Sequence, residues 1–302
     1  MNSIISTSSI SHIKKLGAEY STALLFVLIW STGFIVAKLG LPFSPTLTFL
    51  LLRYAGVLII LVPLAFIMRA EWPKELVWHI ALAGVLVQAG YLSGVWLAIK
   101  LGMPAGLSAL IVGLQPLLTG FAAGFVGEKV LVRQWLGLIL GLGGVALVVS
   151  NKMTLQGVTA LTVFFCVMAL FAITAGTLYQ KKYCPRFDLR AGAIIQFTAS
   201  LLITLPFAIW LEDLNFSFDT VQWTPRFIAA LLWSVLALSI GAMFLLYALI
   251  RNSAATHVSS LMYLTPPLTA MLAWLLFSET FTLIGIAGML LAVTGVAFVI
   301  KK

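Results

Sequence analysis

The sequence predicts an all-α membrane protein whose ten transmembrane helices form two inverted five-helix repeats. Three observations lead to this fold class: the composition, the spacing of long apolar runs, and the similarity between the two halves of the chain. Of the 302 residues, 62% are hydrophobic and only 9% are charged, and the mean hydropathy is +1.11. Soluble domains carry far more charge. The lipid bilayer is therefore the expected environment of most of the surface.

Ten apolar runs are each long enough to form a spanning helix. A helix needs about 20 apolar residues to cross about 30 Å of hydrocarbon, where its backbone groups must bond within the segment. The predicted spans are 20–37, 46–67, 77–99, 105–126, 131–149, 157–179, 191–211, 227–250, 255–277 and 281–300. Residues 1–19 are polar and are predicted to form a cytoplasmic segment. The run that follows lacks a small-residue cleavage site, so we interpret it as an uncleaved first span.

The distribution of basic residues predicts that both termini are cytoplasmic. With the N-terminus inside, thirteen lysines and arginines fall in the inner segments and four in the outer segments, and Arg53 lies within a span. Such a bias is typical of inner-membrane proteins. It also explains the net charge of +9, and no basic stripe interleaved with aromatic residues is present. A nucleic-acid partner is therefore not expected.

The second half of the chain repeats the pattern of the first, which divides it into repeats at 20–150 and 151–302. Because a unit of five spans crosses the membrane an odd number of times, its second copy must enter from the opposite side. Inverted repeats are typical of secondary transporters, although a duplicated membrane enzyme or scaffold is an alternative. The matched pairs include Gly33 with Gly176, Lys38 with Lys181, Arg53 with Gln196, Pro116 with Pro266, Glu128 with Glu279, and Gly144 with Gly295.

The motif from Trp30 to Lys38, followed by Pro45 and Arg53, resembles the opening of the EamA-type branch of the drug/metabolite transporter superfamily. A second cue runs from Ala105 through Pro116 to Glu128 and a Gly-rich fifth helix, and it recurs as Ala255, Pro266 and Glu279. The resemblance covers nearly the whole chain. It implies an exporter of small metabolites in a bacterial inner membrane, with a cavity walled by helices one, three, four, six, eight and nine. It does not specify the substrate.

Polar and aromatic residues within these spans are the candidates for a substrate cavity. In hydrocarbon, Ser, Thr and Gln side chains also bond to neighbouring helices or to their own backbone, so a structural role stays open for each. The candidates are Trp30, Thr32, Arg53, Gln88, Tyr91, Trp96, Gln115, Thr174, Thr177, Gln196, Trp233, Ser239, Ser260 and Tyr263.

Arg53 is the one charge that the predicted topology places well inside a span. It lies about seven residues into the second helix, or about 10 Å below the outer surface at 1.5 Å per residue. One interpretation is an arginine that ties this helix to backbone carbonyls near the outer vestibule. The other is a guanidinium that binds a substrate carboxylate, with Gln196 as its uncharged counterpart in the second half.

Two prolines and two rows of small residues carry further predictions. Pro116 and Pro266 each remove a helical hydrogen bond and are hinge candidates beside the cavity. The rows around Gly144 and Gly295 permit close helix packing. Packing within the chain and a homodimer contact are both open for these rows.

The ionisable residues argue against an enzyme. No paired carboxylates, His cluster or metal motif is present, so neither a catalytic site nor a metal or other cofactor is expected. No predicted span holds a carboxylate or histidine at membrane depth, which favours facilitated efflux or exchange over proton coupling. That the protein is a channel is an alternative that the sequence leaves open. Glu128 and Glu279 fall in connections, where we expect them to pair with Lys129 or cap the next helix.

Overall fold

A computed structural model describes residues 7–115, 117–119, 122, 132–150, 157–184, 186–214, 218–245, 264–280 and 282–300. Within these ranges all regular secondary structure is helical. We number the helices α1 (Thr7–Gly40), α2 (Thr46–Ile67), α3 (Val77–Lys100), α4 (Ala105–Val112), α5 (Val132–Ser150), α6 (Ala160–Tyr183), α7 (Leu189–Leu211), α8 (Pro225–Leu245), α9 (Thr265–Phe277) and α10 (Leu283–Ile300).

Six of these helices are long and apolar enough to cross a membrane, and the protein is a multi-pass membrane protein. The six segments are Leu24–Phe43, Thr46–Ile67, Val77–Lys100, Ala160–Tyr183, Leu189–Leu211 and Pro225–Leu245. The apolar segments of α4, α5, α9 and α10 are shorter in the described part of the chain. Helix α1 begins at Thr7, well before the predicted start at residue 20. Hydropathy marks where hydrocarbon begins, whereas a helix continues beyond that point wherever residues of good helix propensity follow.

Helices α2 and α7 pack against each other in opposite directions. At one end, Glu212, which follows α7, accepts hydrogen bonds of 2.8 Å from the backbone N–H groups of Leu47 and Thr48 at the start of α2. At the other end, Nη1 of Arg190 donates to the carbonyl of Met68, which follows α2, at 3.3 Å. The N-terminus of each helix therefore lies beside the C-terminus of the other.

Helices α5 and α10 form another pair of equivalent helices, and glycine allows them to touch through their backbones. A Cβ added to Gly144 would lie 2.5 Å from the backbone nitrogen of Ala292, and one added to Gly295 would lie 2.5 Å from the nitrogen of Gly141. Only residues without a side chain permit this approach. The small-residue rows predicted from the sequence are therefore used for packing within the chain.

Helices α3 and α8, which are also equivalent in the two halves, each contain a π-helical turn. The turns occupy Val85–Gly90 and Ser234–Gly241. Adding 150, the number of positions between the matched prolines Pro116 and Pro266, to the first turn places it inside the second. A π turn bonds each residue to the fifth one along instead of the fourth, and such turns occur frequently at functional sites. Hydrophobic periodicity alone does not reveal them.

Candidate functional site

A cavity of about 580 Å³ lies among α1, α2, α3, α6, α7 and α8. Most of its wall is apolar, with a few polar groups and two arginines. This composition is typical of a small-molecule site, in which a few placed polar groups orient a largely apolar ligand. The predicted candidates on this wall are Trp30, Arg53, Gln88, Tyr91, Trp96, Gln196 and Ser239.

The cavity extends to one face of the protein. Cys184, Arg186 and Phe187, in the connection between α6 and α7, line it, and Arg186 is exposed. Toward the other face, the indole ring of Trp96 packs on the ring of Phe49, with centroids 4.7 Å apart. Phe49 in turn meets the edge of Phe227 at 5.3 Å. All three rings are almost completely buried, so this aromatic cluster forms the closed end of the cavity.

Polar contacts reinforce the closed face beyond this cluster. Nζ of Lys38 donates to Oε1 of Glu279 at 2.6 Å. Glu279 also accepts from the backbone N–H groups of Ala105 at 3.1 Å and Gly106 at 3.4 Å, so it caps the N-terminus of α4. An anion stabilises a helix N-terminus because it meets unpaired N–H groups and the positive end of the helix dipole. Nζ of Lys100 adds hydrogen bonds to carbonyls of the α1–α2 connection.

Arg53 is buried in the cavity wall and held in a fixed orientation. Its Nε donates to Oγ of Ser239 at 2.9 Å, and its Cζ lies 5.9 Å from the ring centroid of Trp96. Ser239 belongs to the π turn of α8 and donates to the carbonyl of Ser234 at 2.9 Å. Within the described ranges no carboxylate pairs with Arg53. The guanidinium therefore adds an unneutralised positive charge to the wall.

The neighbouring residue, Tyr54, ties α2 to the other π turn. Its hydroxyl donates to the carbonyl of Gln88 at 2.9 Å. Two adjacent residues of α2 thus contact the π turns of α3 and α8, one in each half. On another part of the wall, Nε2 of Gln196 donates to Oε1 of Gln180 at 3.0 Å, which joins α7 to the end of α6.

Five predicted candidates lie outside the described cavity lining and make hydrogen bonds elsewhere: Thr32, Gln115, Thr174, Thr177 and Trp233. The three threonine hydroxyls donate to carbonyls of their own helices at 2.6 Å. Nε1 of Trp233 donates to Thr32 at 2.8 Å, and Nε2 of Gln115 donates to Thr177 at 3.2 Å. For these residues the geometry matches the structural alternative, which is bonding within or between helices.

The remaining candidates are a proline within the described chain and three residues outside it. Pro266 lies in the first turn of α9, where a helix needs no N–H donor and proline is well tolerated. A Cβ added to Gly113 would lie 2.7 Å from Cγ of Pro266, so α4 and α9 are in close contact there. Ser260, Tyr263 and the second hinge candidate, Pro116, lie outside the described residues.

Gln180, Cys184 and Arg186 also line the cavity, although no sequence motif predicts them there. The signal that the sequence carries in this region is the density of basic residues between α6 and α7, which indicates topology. This connection and the start of α7 also hold an ion pair between Arg190 and Asp188. Arg190 donates to Asp188 through Nη2 at 2.6 Å, and this hydrogen bond lowers the pKa of Asp188 to about 2. Asp188 is therefore engaged by Arg190 and by the start of α7.

Comparison with known proteins identifies the family. The model of the EamA-like transporter family matches residues 18–150 and, a second time, residues 160–301. The chain belongs to the EamA-like transporter family. Its two EamA domains correspond to α1–α5 and α6–α10, which accords with duplicated halves. Members of the EamA-like family transport solutes and are not enzymes, so this chain is a membrane transporter.

Relatives extend over most of this EamA-like chain. It is 31% identical over 248 residues to YvbV of Bacillus subtilis, an uncharacterized transporter, and the match covers 82% of this chain and 79% of the relative. It is 26% identical over 280 residues to a probable amino-acid metabolite efflux pump of Salmonella typhimurium, covering 90% and 91% of the two chains. A protein of known crystal structure shares the fold, with a TM-score of 0.64, 17% identity and coverage of 93% and 96%.

Proposed function

We propose that this protein is a secondary transporter that exports small metabolites, amino acids or related amphipathic compounds, across the bacterial inner membrane by alternating access. The observation that carries the proposal is the cavity of about 580 Å³ bordered by helices of both halves. It reaches one face at Arg186 and ends toward the other at Trp96 and Phe49. A site that is accessible from one side at a time is what alternating access requires.

The proposed architecture has ten transmembrane helices in two inverted repeats, residues 20–150 and 151–302. The opposite directions of α2 and α7 support this arrangement, because these are equivalent helices of the two halves. The bias of basic residues supports cytoplasmic termini. With that orientation the α6–α7 connection lies in the cytoplasm, so the cavity of this structure faces the cytoplasm and is ready to load an exported substrate.

The chemistry of the wall supports an amphipathic substrate. Trp30, Tyr91 and Trp96 offer ring surface, while Gln88, Gln196 and Arg53 offer polar groups. The relative from Salmonella typhimurium carries the name of a probable amino-acid metabolite efflux pump, which supports the same class for this chain. The driving force we propose is the substrate's own gradient or exchange, since the described lining contains no carboxylate or histidine that could carry a proton.

Counterflow in proteoliposomes tests the proposal. Liposomes loaded with an unlabelled metabolite should accumulate the same labelled metabolite above its outside concentration, because a carrier exchanges the two. A channel would only equilibrate the label. We would screen amino acids, aromatic acids and amines, with empty liposomes as the background.

A matched pair of variants on α7 tests whether the cavity is the route. Ala193 lines the cavity, whereas Leu202 is 61% exposed on the surface of the same helix. Ala193→Trp should fill the cavity and abolish counterflow, and Leu202→Trp should leave it intact. Absence of counterflow for the whole panel with folded protein, or equal loss in both variants, would contradict the proposal.

A further inference from the structure

We propose that the cavity selects organic anions, namely carboxylic acids that carry an aromatic or large apolar group and no ammonium group. Arg53 would bind the carboxylate inside the cavity, and Arg186 would attract it at the mouth. The inference rests on the proposed transport function. Within the amphipathic compounds proposed there, it favours acids without an ammonium group over amino acids. It also assigns a specificity role to Arg186, which no sequence motif indicated.

The charges around the cavity are the first argument. Among the described residues that line the cavity, the charged side chains are those of Arg53 and Arg186. Of the nine acidic residues, seven lie where the structure describes their side chains, and none of those seven lines the cavity. Glu212, Glu279 and Asp188 are engaged by helix N-termini and basic side chains elsewhere. The ammonium group of an amino acid would therefore lose its hydration without gaining a described carboxylate partner, which is costly.

The geometry of Arg53 is the second argument. Its Nε is occupied by Ser239, and the side chain is only 6% exposed. In the part of the chain that the structure describes, Nη1 and Nη2 have no protein partner, and the residue lines the cavity. These nitrogens supply N–H donors in a planar, fixed arrangement, which matches the two oxygens of a carboxylate. Ser239 and the face of Trp96 hold the fork in place, so little freedom is lost on binding.

The apolar part of the wall defines the rest of the substrate. Tyr91, Leu92 and Val95 follow one another along α3 beside Trp96, and Trp30 and Leu238 belong to other parts of the same wall. Rings of this kind give favourable stacking and apolar contact to an aromatic side chain. A volume of about 580 Å³ accommodates a molecule of the size of an aromatic acid with room for water.

Arg186 lies where a substrate would enter the cavity. It is exposed at the open end of the cavity, and the nearby Asp188 is paired with Arg190. Asp188 therefore does not neutralise Arg186. A positive charge at the rim of a low-dielectric cleft raises the local concentration of anions and their rate of entry, an effect that salt weakens.

Three compounds with the same phenyl group separate the possible substrate classes. These are 3-phenyllactate (an anion), phenylalanine (a zwitterion) and phenethylamine (a cation). In proteoliposomes at pH 7, we expect phenyllactate to exchange fastest, phenylalanine about tenfold more slowly and phenethylamine not at all, since one unpaired charge outweighs equal apolar contacts. Equal or faster exchange of phenylalanine or phenethylamine would overturn the inference and leave the transport function standing. If no metabolite of the counterflow panel exchanged at all, that result would instead contradict the transport function.

Variants assign the roles to the two arginines. Arg53→Gln should reduce phenyllactate exchange at least about tenfold, and Arg53→Lys should restore part of it because charge returns without the planar fork. Arg186→Gln should raise the KM several-fold, with kcat unchanged and a weaker dependence on salt. The control is Lys182→Gln in the same connection, since Lys182 is exposed and outside the described lining. If Arg53→Gln does not fold, the KM of Arg186→Gln and the relative exchange rates of the three compounds in the wild-type protein still test the inference. Equal KM values for Arg186→Gln and Lys182→Gln would refute the role of Arg186.

Discussion

Lys38, near the C-terminus of α1, forms an ion pair with Glu279, in the connection between α9 and α10, at an Nζ–Oε1 distance of 2.6 Å. The same carboxylate accepts hydrogen bonds from the first backbone N–H groups of α4. One side chain thus joins three helices at the face where the cavity is closed. The carboxylate is 9% exposed and the lysine 35%, so this contact is partly shielded from water.

Removing this ion pair should favour opening at the closed face. Glu279→Gln keeps one acceptor oxygen for the N-terminus of α4, which Ala105 and Gly106 now share through two carboxylate oxygens. It leaves Lys38 without its counter-ion, which destabilises the closed arrangement. We expect faster modification of a cysteine placed at Val95, a residue of the cavity lining, by an impermeant thiol reagent added on the side of the closed face. The background would carry Cys166→Ser and Cys184→Ser.

A double-mutant cycle with Lys38→Met controls for unrelated damage. If the two residues act as a pair, the double variant should be modified more slowly than the sum of the single effects predicts, with a coupling of about 1 kcal/mol. Additive effects, or a rate unchanged by Glu279→Gln, would show that this contact does not hold the face closed.

Cys184 is a natural probe of the open end. It lines the cavity, and burial raises the pKa of its thiol above the ordinary value. Because the thiolate is the reactive form, modification should be slow at neutral pH and should accelerate as the pH rises toward that raised pKa. A transported substrate should protect it, as measured by mass spectrometry of the labelled protein. Cys184→Ser is the control, and unchanged labelling in saturating substrate would place the substrate elsewhere.

Gly144 should tolerate no side chain, whereas its neighbour Gly143 should. A Cβ at Gly144 would meet the backbones of Gly288 and Ala292 at 2.5 Å, while one at Gly143 meets nothing within 4 Å. Gly144→Ala must separate α5 from α10 and should cost about 1–3 kcal/mol. Thermal unfolding of the detergent-solubilised protein would show a lower midpoint for Gly144→Ala and little change for Gly143→Ala. Equal midpoints would mean that the helices do not touch there.

A reporter fused after Lys302 should give a cytoplasmic signal. The dense cluster of Lys181, Lys182, Arg186 and Arg190 favours the inner side for the α6–α7 connection. The four predicted spans that follow would then return the C-terminus to that side. Fusions in the α6–α7 connection, after Tyr183, and in the α7–α8 connection, after Asp213, serve as the inside and outside controls. A periplasmic signal at Lys302 would overturn the proposed orientation.

The sequence was sufficient to predict most helix positions. The apolar run of α2 was bounded correctly at 46 and 67, because hydrocarbon thickness limits span length independently of neighbouring helices. Trp30, Arg53, Tyr91 and Trp96 were substrate-cavity candidates and line one cavity wall, and their contact with a substrate stays a prediction. In membrane spans, large amphipathic or charged side chains are costly to leave in lipid, so they tend to face the interior.

Pairings between distant residues could not be predicted in the same way. Ser239 meets Arg53 from 186 positions away, and that contact depends on a π turn that apolar periodicity does not record. Thr174 and Thr177 were candidates because they are polar, but a hydroxyl in a helix can satisfy itself on the preceding turn, as both do. Glu279 was expected to cap the next helix. It caps α4 of the first half instead, because α4 and α9 lie in contact.

The π turn in α3 sets the angle at which the second part of that helix faces its neighbours. In an ordinary helix each residue advances by about 100° around the axis, so the extra residue of a π turn shifts the phase of everything that follows. Tyr91, Leu92, Val95 and Trp96 come directly after the turn and point into the cavity. Deleting one residue from Val85–Gly90 would rotate them together by about 100° and turn their side chains toward a different neighbour. The direction in which these side chains face thus depends on the one extra residue of the π turn.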